Sequence, residues 1–265
     1  MADQNSESQK SVVNALLSSG FPFQTAVAGL VRSLPECKVI FEEFPWRDER
    51  GEDRFLDLVV IRHRFVVTIE CKKTQKDILT FLQPGRIDGD INRARCLYLT
   101  QIKDSTKRME LCCGDWLLMP KSAESKFCVV STSNSGKDQR LLERDAQLLV
   151  RGTDAYARHY KKSFNIEHDP ETDRPILPVL VTNAEIFLGG YNPSEVSLDS
   201  GQLTPNEAAL SHVEHVRFRK AFSTSEKDIG DRTVFIVRAS KLGEWLAKLD
   251  FVETLPSREG RVFIH

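Results

Sequence analysis

Two strongly apolar runs, Phe55 to Ile61 and Phe65 to Cys71, are separated by only Arg62-His63-Arg64. A link that short leaves room for a turn, so the runs are predicted to form an antiparallel β-hairpin. Each run is largely apolar on both of its alternating faces, and a strand of that kind needs cover on both sides. The hairpin therefore belongs deep in a sheet with further layers above and below it. A charged loop over residues 46–54 (Trp-Arg-Asp-Glu-Arg-Gly-Glu-Asp-Arg) leads into it.

The segments around the hairpin supply those layers. Ser6 and Gln9 have capping-box spacing ahead of Val12, Val13, Leu16 and Leu17, which predicts a helix from near Ser6 to Ser19-Gly20. A second helix is predicted over 24–34, with Val27, Leu30 and Val31 on one face and Pro35 as its stop. Cys37 to Phe44 alternates and reads as a strand ended by Pro45. From 84 to 126 the pattern blurs: Pro84-Gly85 and Asp88-Gly89-Asp90 mark loops, short helical or irregular pieces fall around 91–103, and a strand falls at Trp116 to Met119. Phe127 to Thr132 reads as a strand, and residues 138–162 as a long helix carrying Leu142, Ala146, Leu149, Tyr156 and Tyr160. Ile176 to Thr182, Ala184 to Leu188, Val213 to Phe222 and Thr233 to Val237 read as further strands. Leu242, Trp245, Leu246 and Leu249 mark a last helix.

The order helix, three strands, helix, strand predicts a mixed α/β domain. Residues 1–7 are expected to be a polar tail and 8–265 a single domain. Within it lie a core motif over 8–83, an insertion over 84–126 and a C-terminal sheet extension over 184–265.

With 265 residues and 40% hydrophobic content, the chain can bury a substantial core, which excludes a disordered or fibrous protein. Lys and Arg number 37 against 38 Asp and Glu, so no bulk basic field draws in nucleic acid or a membrane surface; any such contact must be local. Six cysteines stand without a Cys-x-x-Cys pair in a chain too long to need disulfide staples. The first residues show no basic-then-apolar signal pattern, and no apolar run approaches the roughly 18 residues of a spanning helix. The expectation is a cytoplasmic protein with no membrane partner.

Chemistry concentrates on the hairpin. Asp57 is followed thirteen residues later by Glu70-Cys71-Lys72. A two-residue turn at His63-Arg64 sets Asp57 opposite Glu70, and period-two alternation puts Lys72 on the same side of its strand as Glu70. Directly opposed like charges cost a strand pair roughly 0.2–1 kcal/mol, and burial adds to that or raises one pKa. A hard divalent cation offsets the cost, because Mg²⁺ favours one or two carboxylates, waters and phosphate oxygens. Two carboxylates and an ammonium suit metal-assisted phosphodiester hydrolysis, with Lys72 orienting the nucleophile or stabilising developing negative charge.

The tripeptide alone is unspecific, since Glu-x-Lys also occurs at Glu36-Cys37-Lys38 and at Glu124-Ser125-Lys126. Only the set at 57, 70 and 72 joins an acid on one apolar strand to Glu-x-Lys on its neighbour. The bland alternative is a structural ion pair at a strand end.

These residues resemble the PD-(D/E)XK nuclease superfamily, the restriction-endonuclease-like fold of type II and type IV restriction enzymes and Holliday-junction resolvases. The matching segments are Arg54-Phe55-Leu56-Asp57-Leu58 and Ile69-Glu70-Cys71-Lys72, and the resemblance covers about residues 8–83. Residues 178–184 (Pro-Val-Leu-Val-Thr-Asn-Ala) are similar to a later core strand of restriction-enzyme relatives. The resemblance implies a mixed central sheet flanked by helices and a Mg²⁺ (or Mn²⁺)-dependent endonuclease. Asp57 and Glu70 would be metal ligands, the Cys71 carbonyl a further ligand, and Lys72 the catalytic lysine. Many members place a Glu on the first helix, where this chain has Gln24. That departure bears on whether one metal or two are held, with Glu42 or Glu43 as substitutes. The substrate implied is DNA ahead of RNA, in prokaryotic restriction or anti-phage defence, with room for a homodimer or larger complex. The competing expectation is a nuclease-like scaffold that no longer cuts and binds or senses nucleic acid or protein.

Arg217, Arg219 and Lys220, interleaved with Phe218 and Phe222, are candidate nucleic-acid contacts, as are Arg158, Lys161 and Lys162 at the end of the long helix. A solvated strand edge and a basic helix terminus are their structural alternatives. His212 and His215 lack a third zinc ligand nearby. Ser135-Gly136-Lys137 fails as a phosphate-binding loop, since Ser131 stands where the upstream glycine should be and Asp138 where the Ser/Thr should be.

Overall fold

A computed structural model describes residues 11–16, 19–74, 78–85, 91–101, 109–131, 141–163, 173–203, 209–222 and 230–252. The Ser6–Gln9 capping box, the Ser135-Gly136-Lys137 segment and the tail over 1–7 lie outside those residues. Residues 11–16 are helical (α1), followed by α2 (Phe21–Ser33), which starts with Pro22 in its first turn. Pro is suited there because its missing N–H would be unpaired in any case. The second helix thus starts three residues before the predicted boundary.

Three antiparallel strands follow: β1 (Cys37–Arg47), β2 (Asp53–Arg62) and β3 (Phe65–Lys72). The hairpin has the expected register, from Arg62↔Phe65 to Leu58↔Ile69, and His63 takes a left-handed φ of 49° in the turn. The expectation that Pro45 ends β1 is corrected: the strand runs on and Pro45 pairs with Phe55. β1 is an edge strand, and a residue without an N–H is tolerated where one side of the strand has no ladder.

Between β3 and the long helix lie β4 (Ile78–Pro84), β5 (Ile91–Gln101), β6 (Met109–Ser122), β7 (Glu124–Ser125) and β8 (Phe127–Ser131). The expectation of helical or irregular pieces around 91–103 is corrected here. β5 and β6 form a long antiparallel pair from Ile91↔Ser122 to Gln101↔Met109. The polar residues that blurred its alternation, Arg93 and Arg95, share that ladder with buried Ala94 and Cys96.

Next come α3 (Leu141–Ser163), β9 (Arg174–Thr182), β10 (Glu185–Tyr191), β11 (Ala209–Val213), β12 (His215–Phe222), β13 (Gly230–Arg238), α4 (Leu242–Lys248) and β14 (Asp250–Phe251). The single strand expected over 213–222 divides at Glu214 between two sheets.

The large sheet is mixed and ten-stranded, in the order β1-β2-β3-β9-β13-β12-β7, with β5 joined to β9, β6 to β5 and β14 to β6. A second sheet has the order β11-β10-β4-β8. β9 lies parallel to β3 from Val66↔Ile176 to Lys72↔Thr182. On its other edge β9 meets β5 at residues 174–176 and β13 at residues 179–182. Pro178, which has no N–H to give, stands where that edge passes from one partner to the other.

Both faces of the large sheet are covered, as the apolar hairpin requires. On one face α3 and the small sheet pack over Leu56, Val59, Val66, Ile176 and Leu180. On the other, α2 and α4 pack over Leu58, Val60, Val67, Ile69 and Val179. Full burial of such side chains contributes about 1.5–3 kcal/mol each.

α3 packs closely on the sheet at Gly152. A Cβ there would stand 2.7 Å from Leu56 Cδ2 and 3.0 Å from Trp46 Nε1. Gly152→Ala is therefore expected to destabilise the fold by about 1–3 kcal/mol through overpacking, against the roughly 1 kcal/mol that Ala gains in a helix. Urea unfolding measures this; a variant more stable than the parent would show that Leu56 has room to move.

Candidate functional site

The β2/β3 ladder ends at Leu58↔Ile69, one pair short of Asp57 and Glu70. Beyond that point the Cys71 backbone N–H donates to Asp57 Oδ2 at 2.6 Å. Asp57 thus reaches the Glu-Cys-Lys segment through a side-chain bond instead of the opposed strand pair expected from the turn. Leu56 and Val59, three apart, pack on the α3 side, whereas Leu58 and Val60 pack on the other, so β2 changes phase at Asp57. β1 changes phase beside it: Phe41 and Phe44 both pack toward α3, and Glu43 between them takes a left-handed φ of 56°. Glu43 falls between the pairs Glu42↔Leu58 and Phe44↔Leu56, which sets it beside Asp57.

On β3, Val66, Thr68, Glu70 and Lys72 share the face turned to α3. Thr68 Oγ1 bonds Thr153 Oγ1 of α3 at 2.7 Å, and Lys72 Nζ lies 2.7 Å from Asp145 Oδ2 in the second turn of that helix. The expected convergence of two carboxylates and an ammonium at one end of the hairpin is present, with two further acids.

Burial raises the Glu70 carboxyl to about 8, with Asp57 and Asp145 adding to the rise and Lys72 opposing it. Burial also raises Asp57, opposed by its bonds from Cys71, while Glu43 pushes the same way as burial. Burial, Asp57 and Glu70 push the Cys71 thiol up, so it is no nucleophile at neutral pH. A strand residue's N–H and C=O point to the same edge. The Cys71 carbonyl therefore faces the side from which β2 has parted, as a further oxygen donor would.

Gln24 sits elsewhere. It continues the Val27, Ala28, Val31 stripe of α2, on the sheet face opposite α3. Among the described residues no hydrogen bond or ion pair joins it to Asp57, Glu70 or Lys72. Among the described residues Lys73 Nζ ties the two regions, donating to Ser19 O at 3.3 Å.

Asp145 was not singled out from sequence. Its signal is an acid at the i+3 position of the Leu142, Ala146, Leu149 stripe, within an otherwise apolar helix face.

The three basic residues on β12 are used internally. Arg217 as a nucleic-acid contact is corrected: its side chain is fully buried and its guanidinium donates to Leu118 O at 2.8 Å, Pro120 O at 3.0 Å, Ser122 Oγ at 3.1 Å and Ile91 O. Arg219 lies among Asp115 at 3.5 Å, Asp231 at 3.4 Å and Glu124 at 4.0 Å. Lys220 pairs with Glu143 at 2.6 Å. The other Glu-x-Lys segments are structural: Glu36 pairs with Arg62 and His63, and Glu124 with Arg219. His212 and His215 stand on strands of different sheets; His212 bonds Glu185 and His215 bonds the Lys121 carbonyl.

Among the described residues no group of three or more His, Cys, Asp or Glu is set up to hold a metal ion. No helix among them is long and apolar enough to cross a membrane. No family model, curated protein or solved structure matches this chain.

Proposed function

We propose that this chain is a divalent-metal-dependent nuclease of the PD-(D/E)XK type, built on a restriction-endonuclease-like core of α2, β1–β3, α3 and β9. The observation that carries the reading is the half-buried Glu70 carboxyl, with Asp57 and Asp145 beside it and one ammonium, Lys72, on the same strand face. Three clustered carboxylates exceed the charge that one lysine neutralises, and the donor set is all oxygen. That fits a hard cation that keeps part of its water and shares phosphate oxygens better than it fits a closed protein cage.

Asp57 and Glu70 would hold Mg²⁺ or Mn²⁺, with the Cys71 carbonyl as a further donor. When bound, the ion supplies positive charge to a phosphate and acidifies a water. The Cys71 N–H fixes the Asp57 carboxylate against β3. Lys72 orients the attacking water or steadies negative charge as it develops on the phosphate. The hydrophobic layers on both sides of β3 leave these groups half-buried, so their charges act more strongly than they would in open water.

DNA is the substrate that the resemblance favours, in a prokaryotic restriction or anti-phage role. A non-cutting scaffold is the competing reading, favoured by the placement of Gln24 away from the acids. The test is cleavage of plasmid and oligonucleotide substrates with Mg²⁺ or Mn²⁺, with and without chelator. Metal-dependent cleavage is expected to fall to background in Asp57→Ala, Glu70→Ala and Lys72→Ala. Cleavage that persists in all three overturns the assignment, and metal-insensitive nucleic-acid binding without cleavage supports the scaffold.

A further inference from the structure

We propose that Asp145 is the positioning residue of this site: by pairing with the Lys72 ammonium it keeps that ammonium off the Glu70 carboxylate and leaves the carboxylate available to a divalent cation. The inference rests on the metal-dependent reading above.

Glu70 and Lys72 are two residues apart on one face of β3, so a flexible lysine can turn its ammonium onto the neighbouring carboxylate. An ammonium seated there would compete with a metal for the same oxygens. The ion pair that Lys72 makes is instead with Asp145, at 2.7 Å, where the aspartate side chain is 12% exposed and the lysine 33%. With the aspartate largely shielded from water the pair is screened less than one in open solvent, and it gives the lysine a preferred position.

The anchor comes from a rigid element. Asp145 lies on α3 between Leu142 and Ala146, both buried, and Thr153 two turns further on bonds Thr68 of β3. Helix and strand are thereby held in one relation, and the distance from Asp145 to the Lys72 backbone is set by packing. Asp145 does not need to touch substrate or metal to act; it acts through Lys72. Its negative charge also balances the ammonium, so that Lys72 adds little net repulsion to an incoming cation.

The test is Mn²⁺ binding by calorimetry on the full chain, which does not depend on turnover. Asp145→Asn is expected to weaken Mn²⁺ binding about tenfold, a coupling of ordinary size between interacting sites. Asp145→Glu is expected to restore it to within about threefold, since the carboxylate returns on a helix position that tolerates Glu. The deciding measurement is the double variant. In a Lys72→Met background, Asp145→Asn should change Mn²⁺ affinity by less than about threefold, because no ammonium remains to be misplaced. For cleavage, Asp145→Asn should lower kcat and leave KM for an oligonucleotide within about twofold.

An equal loss of Mn²⁺ affinity with and without Lys72 overturns the inference and makes Asp145 a direct ligand or a structural residue. An Asp145→Asn protein that binds Mn²⁺ like the parent overturns it as well. A parent chain that fails to bind Mn²⁺ sinks the metal reading and this inference with it, an outcome distinct from either. If Asp145→Asn does not fold, as judged by circular dichroism, Asp145→Ser in the two backgrounds gives the same comparison.

Discussion

Glu70→Gln is expected to make the metal-free protein more stable at about pH 8 while leaving it close to the parent at about pH 4. The Glu70 carboxyl ionises near 8 in the folded protein, because burial, Asp57 and Asp145 all disfavour its charge. In the unfolded chain it ionises at about 4.3. Below the lower value both states carry the proton, and Gln imitates what is already there. Between the two values the unfolded state releases its proton and the folded state does not, so the parent loses stability as the pH rises. The loss is complete once the folded carboxyl has also ionised. Over that window the difference grows to about 2–4 kcal/mol.

Under the proposed function Mn²⁺ reverses the order, since a cation that binds the folded state raises its stability by mass action. The parent should gain with Mn²⁺ and the Gln variant should not. Urea unfolding at three pH values, with and without Mn²⁺, reads both effects. Parallel stability curves for the two proteins across that range would mean that Glu70 is not held among other negative charges.

Arg217→Ala is expected to destabilise the fold by about 3–5 kcal/mol, the sum of several buried acceptors left without their donor and offset in part by relaxation. The guanidinium of this β12 residue spans carbonyls of β5 and β6, namely Ile91, Leu118 and Pro120, together with Ser122 Oγ. It also lies over the Phe235 ring of β13, 5.4 Å from its centroid. β5 joins the rest of the large sheet through a short ladder to β9, from Leu97↔Ile176 to Leu99↔Arg174, and through the Arg95 N–H, which donates to Thr233 Oγ1 of β13 at 3.0 Å. Arg217 is thus a further fastening for the β5/β6 arm. Truncation leaves several buried acceptors unpaired, each costing about 1–3 kcal/mol before the structure relaxes.

Arg217→Lys should recover less than half of the loss, because one ammonium cannot reach acceptors arranged around a planar fork. Equilibrium unfolding of the two variants checks this. A loss under about 1 kcal/mol for Arg217→Ala would mean that water takes over the acceptors.

The central hairpin could be read from the chain because everything that specifies it is local. Alternation, β-branched residues and a two-residue turn act within twenty residues, and the register from Arg62↔Phe65 onward followed. The β5/β6 pair was not legible. Its arginines alternate with small buried residues, so hydropathy alone does not separate a strand from an irregular segment, and pairing with β9 decides the matter. Pro45 misled for a related reason: whether a proline ends a strand depends on whether that strand lies at the edge of its sheet.

The candidate site divides in the same way. Asp57, Glu70 and Lys72 could be brought together from turn geometry alone, but the contact between the strands is a carboxylate accepting from the Cys71 amide, where β1 and β2 both change phase. The Arg217, Arg219 and Lys220 run looked like a basic strip because a sequence shows charge without its neighbours. Folding surrounds those residues with carbonyls and acids from β5, β6 and α3.

By itself, then, the sequence determined a sheet buried on both faces and an acid, an acid and a lysine at one end of its central hairpin, since side-chain period and turn length are properties of neighbouring residues. Only the tertiary structure decided that Lys72 is held by Asp145, that Gln24 lies on the opposite face, and that Arg217 is a core cross-link. Each of those outcomes depends on how elements far apart in the chain pack, and packing selects among partners that local pattern leaves equivalent.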